Sequence, residues 1–216
     1  MPGPSRNYAK ELERLIQKLQ QEGKVPRLLL HACCAPCSSA VLEYLSQYFA
    51  ITLLYYNPNI APLEEYKKRE AELRRLVSQM KFTHPVELLP CQYDGQAFVQ
   101  AARGLEGEPE GGKRCEACFR LRLRYAAQEA ARLRFDYYTT TLSISPMKNA
   151  PLLNQLGEEI GREFGVAHLP SDFKKKDGYK RSVQLSKEYD LYRQDYCGCA
   201  FSKAQRQREK EEREEV

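Results

Sequence analysis

The chain alternates between segments with helical spacing of apolar residues and short, nearly continuous apolar runs. We predict helices in residues 8–21 and in SSAVLEYLSQYF, LEEYKKREAELRRLVSQM, CEACFRLRLRYAAQEAARLR and NAPLLNQLGEEIGREFG. The runs KVPRLLLHA, ITLLYYNPNI, HPVELLPC, FDYYTTTLSIS and VAHLP predict strands. Because strands separated by such helices imply right-handed crossovers, the pattern favours an α/β fold with a mostly parallel sheet and helices on both faces.

Ligands of such sheets bind beyond the carboxyl ends of the strands. Residues 31–37, 56–59, 91–94 and 143–145 are expected at that edge. The first of these segments is HACCAPC, so the densest group of cysteines is predicted where this fold carries its chemistry.

The chain is expected to divide near residue 170. Residues 1–170 would form the α/β core domain, and residues 171–216 a C-terminal extension with a basic segment, a Cys-Gly-Cys sequence and a charged tail. The tail SKAQRQREKEEREEV is too charged to bury a face and is predicted to be a solvated or frayed helix.

The distribution of apolar residues also indicates the cellular compartment of the protein. No apolar run reaches the roughly 20 residues that cross a bilayer, and residues 1–15 lack the apolar centre of a secretory signal. We therefore expect a cytoplasmic protein without membrane contact, in which thiols stay reduced. Its eight cysteines, mostly in tight groups, then indicate metal binding or redox chemistry rather than disulfides.

The formal charge of +5 is modest, but the basic residues are clustered. KRCEACFRLRLR and FKKKDGYKR combine Lys and Arg with aromatic residues, which suits a polyanion, because cations displace counterions from phosphates and aromatic rings stack on bases. A solvated helix face is the alternative for either run. Since both runs adjoin cysteines, we favour RNA or another phosphate-bearing substrate.

Seven cysteines form three groups, residues 33, 34 and 37, residues 115 and 118, and residues 197 and 199. Cys115 and Cys118 begin a predicted helix, whose dipole is expected to lower their thiol pKa. Structural zinc, a dithiol redox centre and an iron–sulfur cluster all remain open. Four thiolates would close a zinc site, whereas a cluster beside a second redox or metal centre would employ all seven. We expect Cys91 to be inert and His31 to be a hydrogen-bonded core residue.

The segments HACCAPCSSA, YYNPNI, RCEACFRLRL, TTTLSISPMKN and SDFKKKDGYKRSVQLSKEYDLYRQDYCGCAFS together resemble the cobalamin-independent epoxyqueuosine reductase family. The resemblance implies an oxidoreductase that removes the epoxide oxygen from epoxyqueuosine at the wobble position of tRNA, the last step of queuosine biosynthesis. It also implies a fold similar to nucleotide-binding HUP domains of tRNA-modifying ATP pyrophosphatases. Here HACCAPCS replaces their glycine-rich phosphate loop, which argues against ATP use.

The same resemblance implies the ligands of a [4Fe-4S] cluster, which are Cys33, Cys34, Cys115 and Cys118. Cys197 and Cys199 would form a redox-active pair or bind an additional mononuclear iron. Asp94 or Cys37 would then be a further ligand of this iron. We favour iron, because the epoxide oxygen develops negative charge that a metal offsets.

Contacts with tRNA are expected from the basic segment. The candidates for phosphate contacts are Lys174, Lys175, Lys176, Lys180 and Arg181. Tyr179 and Tyr55 or Tyr56, with Asn57 beside them, would contact the modified base, and core packing is the alternative for each tyrosine. Asp172 and Asp177 are candidate proton donors.

Two other functions remain open from the sequence. One is an ATP-dependent tRNA sulfur-transfer enzyme, which the missing glycine-rich loop disfavours. The other is a zinc-stabilised RNA-binding module without catalysis, which would be colourless where a cluster protein is brown. The electron donor is unknown.

Overall fold

The computed structural model describes residues 6–214 and follows the predicted alternation. The elements in chain order are α1 (Tyr8–Gln21), β1 (Arg27–His31), α2 (Ala35–Leu45), β2 (Ala50–Leu54), α3 (Leu63–Gln79), β3 (Val86–Leu89), α4 (Gly95–Ala101), α5 (Lys113–Arg132), β4 (Tyr137–Thr140), a 3₁₀ helix (Thr141–Ile144), α6 (Ala150–Phe164), β5 (Ala167–His168), α7 (Gly178–Glu188) and α8 (Ala200–Glu214). None of the helices between residues 6 and 214 combines the length and the apolar character needed to span a bilayer.

The strands form one parallel sheet in the order β3-β2-β1-β4-β5. Successive side chains of a strand point to opposite faces. In β1, Leu28 and Leu30 therefore join a core with α1, α2, α3 and α7, whereas Leu29 joins a second core with α5 and α6. The predicted α/β fold with helices on both faces is confirmed, and the strand order is that of a Rossmann-like sheet.

The order of strands reverses at β1, which has β2 on one side and β4 on the other. In such sheets the crevice beyond the carboxyl ends of these strands is the usual ligand site. Cys33 follows β1 and Thr141 follows β4. The Cys33 amide donates to Thr141 Oγ1 at 3.2 Å, and this hydroxyl donates to Cys33 Sγ at 3.4 Å. The first cysteine group therefore lies in the crevice, as the sequence predicted.

Three elements depart from the sequence prediction. Helices α4 and α7 were not predicted, and the strand predicted through Ser145 ends at Thr140. The hydroxyl of Thr140 accepts a hydrogen bond from the amide of Leu142 at 3.2 Å and turns the chain into the 3₁₀ helix. This turn carries residues 142–145 over the crevice instead of extending the sheet.

The C-terminal segment packs on the rest of the chain. Helix α7 packs against α2, and the first turn of α8 carries Phe201, whose ring meets that of Phe98 edge-on at 6.4 Å. The later turns of α8 are mostly exposed, which agrees with the predicted solvated helix. The predicted division of the chain near residue 170 stays a prediction.

Candidate metal centre and substrate cleft

The loop between β1 and α2 gathers three thiols. The Sγ atoms of Cys33, Cys34 and Cys37 all lie within 4.8 Å of one another. Cys34 is the N-cap of α2, and Pro36 follows in the first turn, where its missing N–H has no helical partner to lose. The sharp entry into α2 therefore brings three sulfurs together at the positive end of the helix.

These three thiols shift one another's pKa. Hydrogen bonds from Cys34 and Cys37 hold the pKa of Cys33 well below its usual range. Donating to Cys33 raises the pKa of Cys34 to about 12, and the same interaction raises the pKa of Cys37. A bound metal requires thiolates, so its binding would release the remaining protons.

The other two cysteine groups meet each other. Cys115, Cys118, Cys197 and Cys199 line one small cavity between α5 and the start of α8. Burial raises the pKa of Cys118 to about 12. The predicted lowering of this pKa by the helix dipole is therefore wrong for Cys118, because the residue lies in the second turn of α5, beyond the reach of the helix terminus.

Arg122 connects the first cysteine group with the others. Its buried guanidinium places Nη1 4.0 Å from Cys118 Sγ. Burial opposes the charge, but the sulfurs of Cys118, Cys33 and Cys197 together raise the pKa of Arg122. Sulfurs from all three groups therefore lie around one buried cation.

His31 and Asn57 hold this guanidinium from the sheet side. His31 Nε2 lies 3.3 Å from Arg122 Nε, and His31 Nδ1 lies 2.8 Å from Thr140 Oγ1. Burial lowers the pKa of His31 to about 3, so the ring is neutral. The prediction that His31 is a core residue is confirmed. Asn57 accepts from Arg122 through Oδ1 and donates to the carbonyl of Ala32 through Nδ2, so a substrate contact by Asn57 would have to replace one of these bonds.

Tyr55 and Tyr56 are buried within the protein. The ring of Tyr56 stacks on that of Tyr125 with centroids 3.9 Å apart, and Tyr55 and Tyr66 exchange hydrogen bonds between hydroxyl and carbonyl groups. These contacts support the packing alternative for both tyrosines. Contact of Tyr56 with a base stays a prediction.

Asp94 has a local structural role. Its carboxylate accepts a hydrogen bond from the amide of Ala97 at 3.2 Å and so caps α4. Within residues 6–214 it lines neither the cavity of the later cysteines nor the cleft over the first group. Its predicted part in a metal site stays a prediction.

A cleft of about 700 Å³ opens over the first cysteine group and is also lined by Cys197. This volume lies in the range of roughly 300–1,000 Å³ typical of ligand pockets. The walls include Lys148, Arg193 and Arg206. Lys148 is 9% exposed, and its Nζ lies 2.9 Å from a carboxylate oxygen of Glu110.

The sequence did not single out any of these cleft cations. Lys148 lies in the segment TTTLSISPMKN, which contributed to the family resemblance, and this was its one signal. Arg193 and Arg206 lie on either side of the Cys-Gly-Cys turn, but their sequence surroundings did not distinguish them from other surface cations. Arg122 lies one helical turn after Cys118, and this spacing puts both residues on the same face of the predicted helix.

The predicted tRNA-binding residues separate into two sets. Tyr179 is 40% exposed and lines the cleft. Arg181 instead pairs with Glu43 of α2 at 2.6 Å, because α7 turns it toward that helix. The remaining lysines do not line the cleft, and Lys174 and Lys176 pair with Asp172 and Glu13. Phosphate contacts by Lys174, Lys175, Lys176, Lys180 and Arg181 stay predictions.

The chain matches known proteins over almost its whole length. The family model described as Epoxyqueuosine reductase QueH matches residues 28–205. A protein of Streptococcus pyogenes serotype M1 named epoxyqueuosine reductase QueH is 42% identical over 203 residues, covering 93% of this chain and 80% of that protein.

Two further relatives carry the same name. The one from Staphylococcus epidermidis is 42% identical over 200 residues, covering 91% of this chain and 84% of its own. The one from Thermotoga maritima is 35% identical over 185 residues, covering 83% of this chain and 91% of its own. The family match spans all three cysteine groups and most of the residues that line the cleft, and the chain therefore belongs to the epoxyqueuosine reductase QueH family.

Proposed function

We propose that this chain is an oxidoreductase that converts epoxyqueuosine in tRNA to queuosine. Two electrons and two protons enter, both epoxide C–O bonds are lost, a C=C bond forms, and the oxygen leaves as water. The observation that carries the proposal is the convergence of three distant cysteine groups on a cleft and a small cavity that share Cys197, at the switch point of the sheet, in a member of this family.

The cysteines suit an iron–sulfur cluster. Clusters of the [4Fe-4S] type are held by four thiolates, and the structure describes all eight cysteines as free. We assign the ligands to Cys33, Cys34, Cys115 and Cys118, and Arg122 supports this choice because it lies beside both pairs. Among residues 6–214 only the first group has three donors close enough for a single ion, whereas a cluster spreads its ligands over several irons. When bound, the cluster supplies electrons one at a time.

Cys197 and Cys199 form the second centre in this proposal, as a redox-active dithiol or as ligands of a mononuclear iron. Cys197 lines both the cavity and the cleft, so this pair adjoins both the proposed cluster ligands and the substrate space. Cys37 lines the same cleft as Cys197, which favours Cys37 over Asp94 as a further ligand.

Lys148 gives the cleft a fixed positive charge. Burial lowers its pKa, but Cys197 and Glu110 raise it by more, so the ammonium group stays protonated. The oxygen of an opening epoxide develops negative charge, and a preorganised cation in a partly desolvated site stabilises that charge. Lys148 therefore assists the loss of oxygen without itself needing to lose a proton.

The rim of the cleft fits an anticodon loop. Tyr179 offers an aromatic face, and Arg193 and Arg206 offer charge for phosphates. A cytoplasmic location accords with free thiols and with a tRNA substrate. The electrons come from an external donor.

An assay tests this function directly. The protein is purified without oxygen and incubated with dithionite and tRNA that contains epoxyqueuosine, and the nucleosides are then analysed for queuosine. We expect conversion by the brown protein and none after the iron is removed by a chelator. Conversion that requires ATP would favour the sulfur-transfer alternative, and a colourless zinc protein without turnover would favour the RNA-binding module.

A further inference from the structure

Arg122 is a buried cation whose direct partners are neutral. Its side chain is 2% exposed, and no carboxylate within residues 6–214 pairs with it. Arg69 is buried to the same extent but pairs with Glu65 at 2.7 Å. Burial of an unpaired charge is strongly unfavourable, so Arg122 requires an anion that the carboxylates do not provide.

The three hydrogen-bond partners of Arg122 orient it without neutralising it. His31 is held neutral by burial and by Arg122 itself, and Asn57 contributes an amide oxygen. His31 ends β1, and Asn57 follows the neighbouring strand β2. The third partner, Cys118, lies one helical turn before Arg122 on α5. The planar guanidinium is therefore fixed from the sheet on one side and from α5 on the other.

Once the cysteines bind a metal group as thiolates, their sulfurs provide the missing anion. Cys118 Sγ is 4.0 Å from Nη1, and Cys33 and Cys197 line the same cleft as Arg122. Cys33 and Cys118 belong to the two different pairs of proposed cluster ligands. Any group held by these thiolates would add its own negative charge beside the same cation.

We propose that Arg122 is a positioning residue of the metal centre, the buried counter-cation that joins the Cys33 and Cys118 segments and offsets the charge of the group they bind. This inference rests on the proposed cluster. Reduction adds negative charge to a cluster, so a fixed cation beside it stabilises the reduced form and raises the reduction potential. Arg122 thus makes electron entry easier in addition to assembling the ligands.

The test compares the reduction potential of the cluster in matched variants. Arg122→Met removes the buried charge, Arg122→Lys keeps it, and Arg124→Met removes an exposed charge from the same helix, where it pairs with Glu163 at 2.7 Å. Each protein is reconstituted without oxygen, its iron and sulfide are measured, and dithionite titration is followed by electron paramagnetic resonance. We expect a shift to more negative potential in Arg122→Met, a smaller shift in Arg122→Lys and no shift in Arg124→Met.

A potential in Arg122→Met equal to that of the wild type, with full iron content, overturns the inference while leaving the proposed function intact. Where Arg122→Met yields no folded protein or no cluster, the reduction potential of the Asn57→Asp variant tests the inference instead. Its carboxylate cancels the guanidinium charge while Arg122 and all cysteines stay in place, so an unchanged potential overturns the inference there also. Absence of a cluster from the reconstituted wild type overturns both the inference and the proposed function.

Discussion

Arg69 Nη1 donates a hydrogen bond of 3.3 Å to the carbonyl oxygen of Cys197. Arg69 is buried on α3 and is itself held by Glu65, so the bond fixes the Cys-Gly-Cys turn to the core. On the far side of the turn, the carbonyl of Gly198 accepts from the amide of Ala61 at 3.0 Å. The sulfurs of the second centre are therefore positioned by the folded core, although they lie near the C-terminal end.

Gly198→Ala should damage this turn. Gly198 has φ of 118°, and a Cβ added there would lie 2.9 Å from Ile60 Cγ1 and 3.0 Å from Arg69 Nη1. We expect the free energy of unfolding to fall by about 1–3 kcal/mol and turnover to fall further, because the two sulfurs move relative to the cleft. Thermal unfolding and the queuosine assay measure both. Gly107→Ala is the control, since its Cβ meets no atom within 4 Å, and equal losses in the two variants would contradict the prediction.

Cys199→Ala should separate electron storage from turnover. Cys199 is buried in the cavity beside Cys118 but is not a proposed cluster ligand. We expect the variant to keep the cluster's colour, iron and sulfide and to lose queuosine formation. Cys91→Ala, which changes the isolated thiol 3.8 Å from the hydroxyl of Tyr125, should keep both properties. Full turnover by Cys199→Ala would remove the second centre from the mechanism.

Lys148→Met should slow the reaction without removing the metal. Lys148 is a buried cation that lines the cleft just after the 3₁₀ helix. Loss of one preorganised charge-stabilising group typically costs about 10²-fold in kcat. Lys148→Arg should recover part of the rate because it keeps the charge opposite Glu110. Iron analysis and single-turnover rates provide the measurement, and an unchanged rate in Lys148→Met would exclude a role for this charge.

The stability of the fold should fall with acid because of His168. Burial lowers the pKa of His168 to about 4, whereas the unfolded chain has the ordinary value near 6.5. Between these values the unfolded state binds more protons, so the stabilisation present above about pH 6.5 is lost as pH falls toward 4. Urea unfolding at several pH values measures this loss, and His168→Phe should reduce the slope. His31, with its pKa lowered to about 3, adds to the slope over the wider range from about pH 6.5 down to about 3, so a slope remains in His168→Phe.

An equal pH dependence in wild type and His168→Phe would contradict the assignment. The ring of His168 meets Tyr138 edge-on at 5.3 Å, and both of its nitrogens are buried without hydrogen-bond partners among the described residues. Phenylalanine keeps the ring in this environment and removes only its capacity to bind a proton.

Hydrophobic periodicity was sufficient for most of the fold. It predicted α1 over the observed residues and placed the cysteines of the first group beyond β1, because the sequence of a buried strand and the capping of the next helix are local properties. It did not predict α4 or α7. Helix α4 is short, and α7 follows an N-cap, Asp177, with φ of 60°, a turn that the preceding lysines do not predict.

The site was harder to predict than the fold, because its relationships are between distant segments. Spacing identified the cysteines, but the grouping of Cys118 with Cys197, and the pairing of Lys148 with Glu110, arise only when segments far apart in the chain pack together. Arg122 is one of three arginines in the run FRLRLR, and its spacing from Cys118 is the sequence feature that sets it apart. Arg122 differs from its neighbouring arginines in the structure because the sheet and the cysteines bury its side chain.

The central claim is that Cys33, Cys34, Cys115 and Cys118 hold one iron–sulfur cluster that reduces epoxyqueuosine. The most direct measurement is iron and sulfide analysis of the protein prepared without oxygen, with Cys33→Ala and Cys115→Ala beside the wild type and the tRNA assay run on the same samples. We predict about four sulfides per wild-type chain, with about four irons if Cys197 and Cys199 form a dithiol and about five if they bind an iron, and loss of both cluster and turnover in each variant. Full iron content and full turnover in either variant, or a wild-type protein that contains only zinc, would contradict the claim.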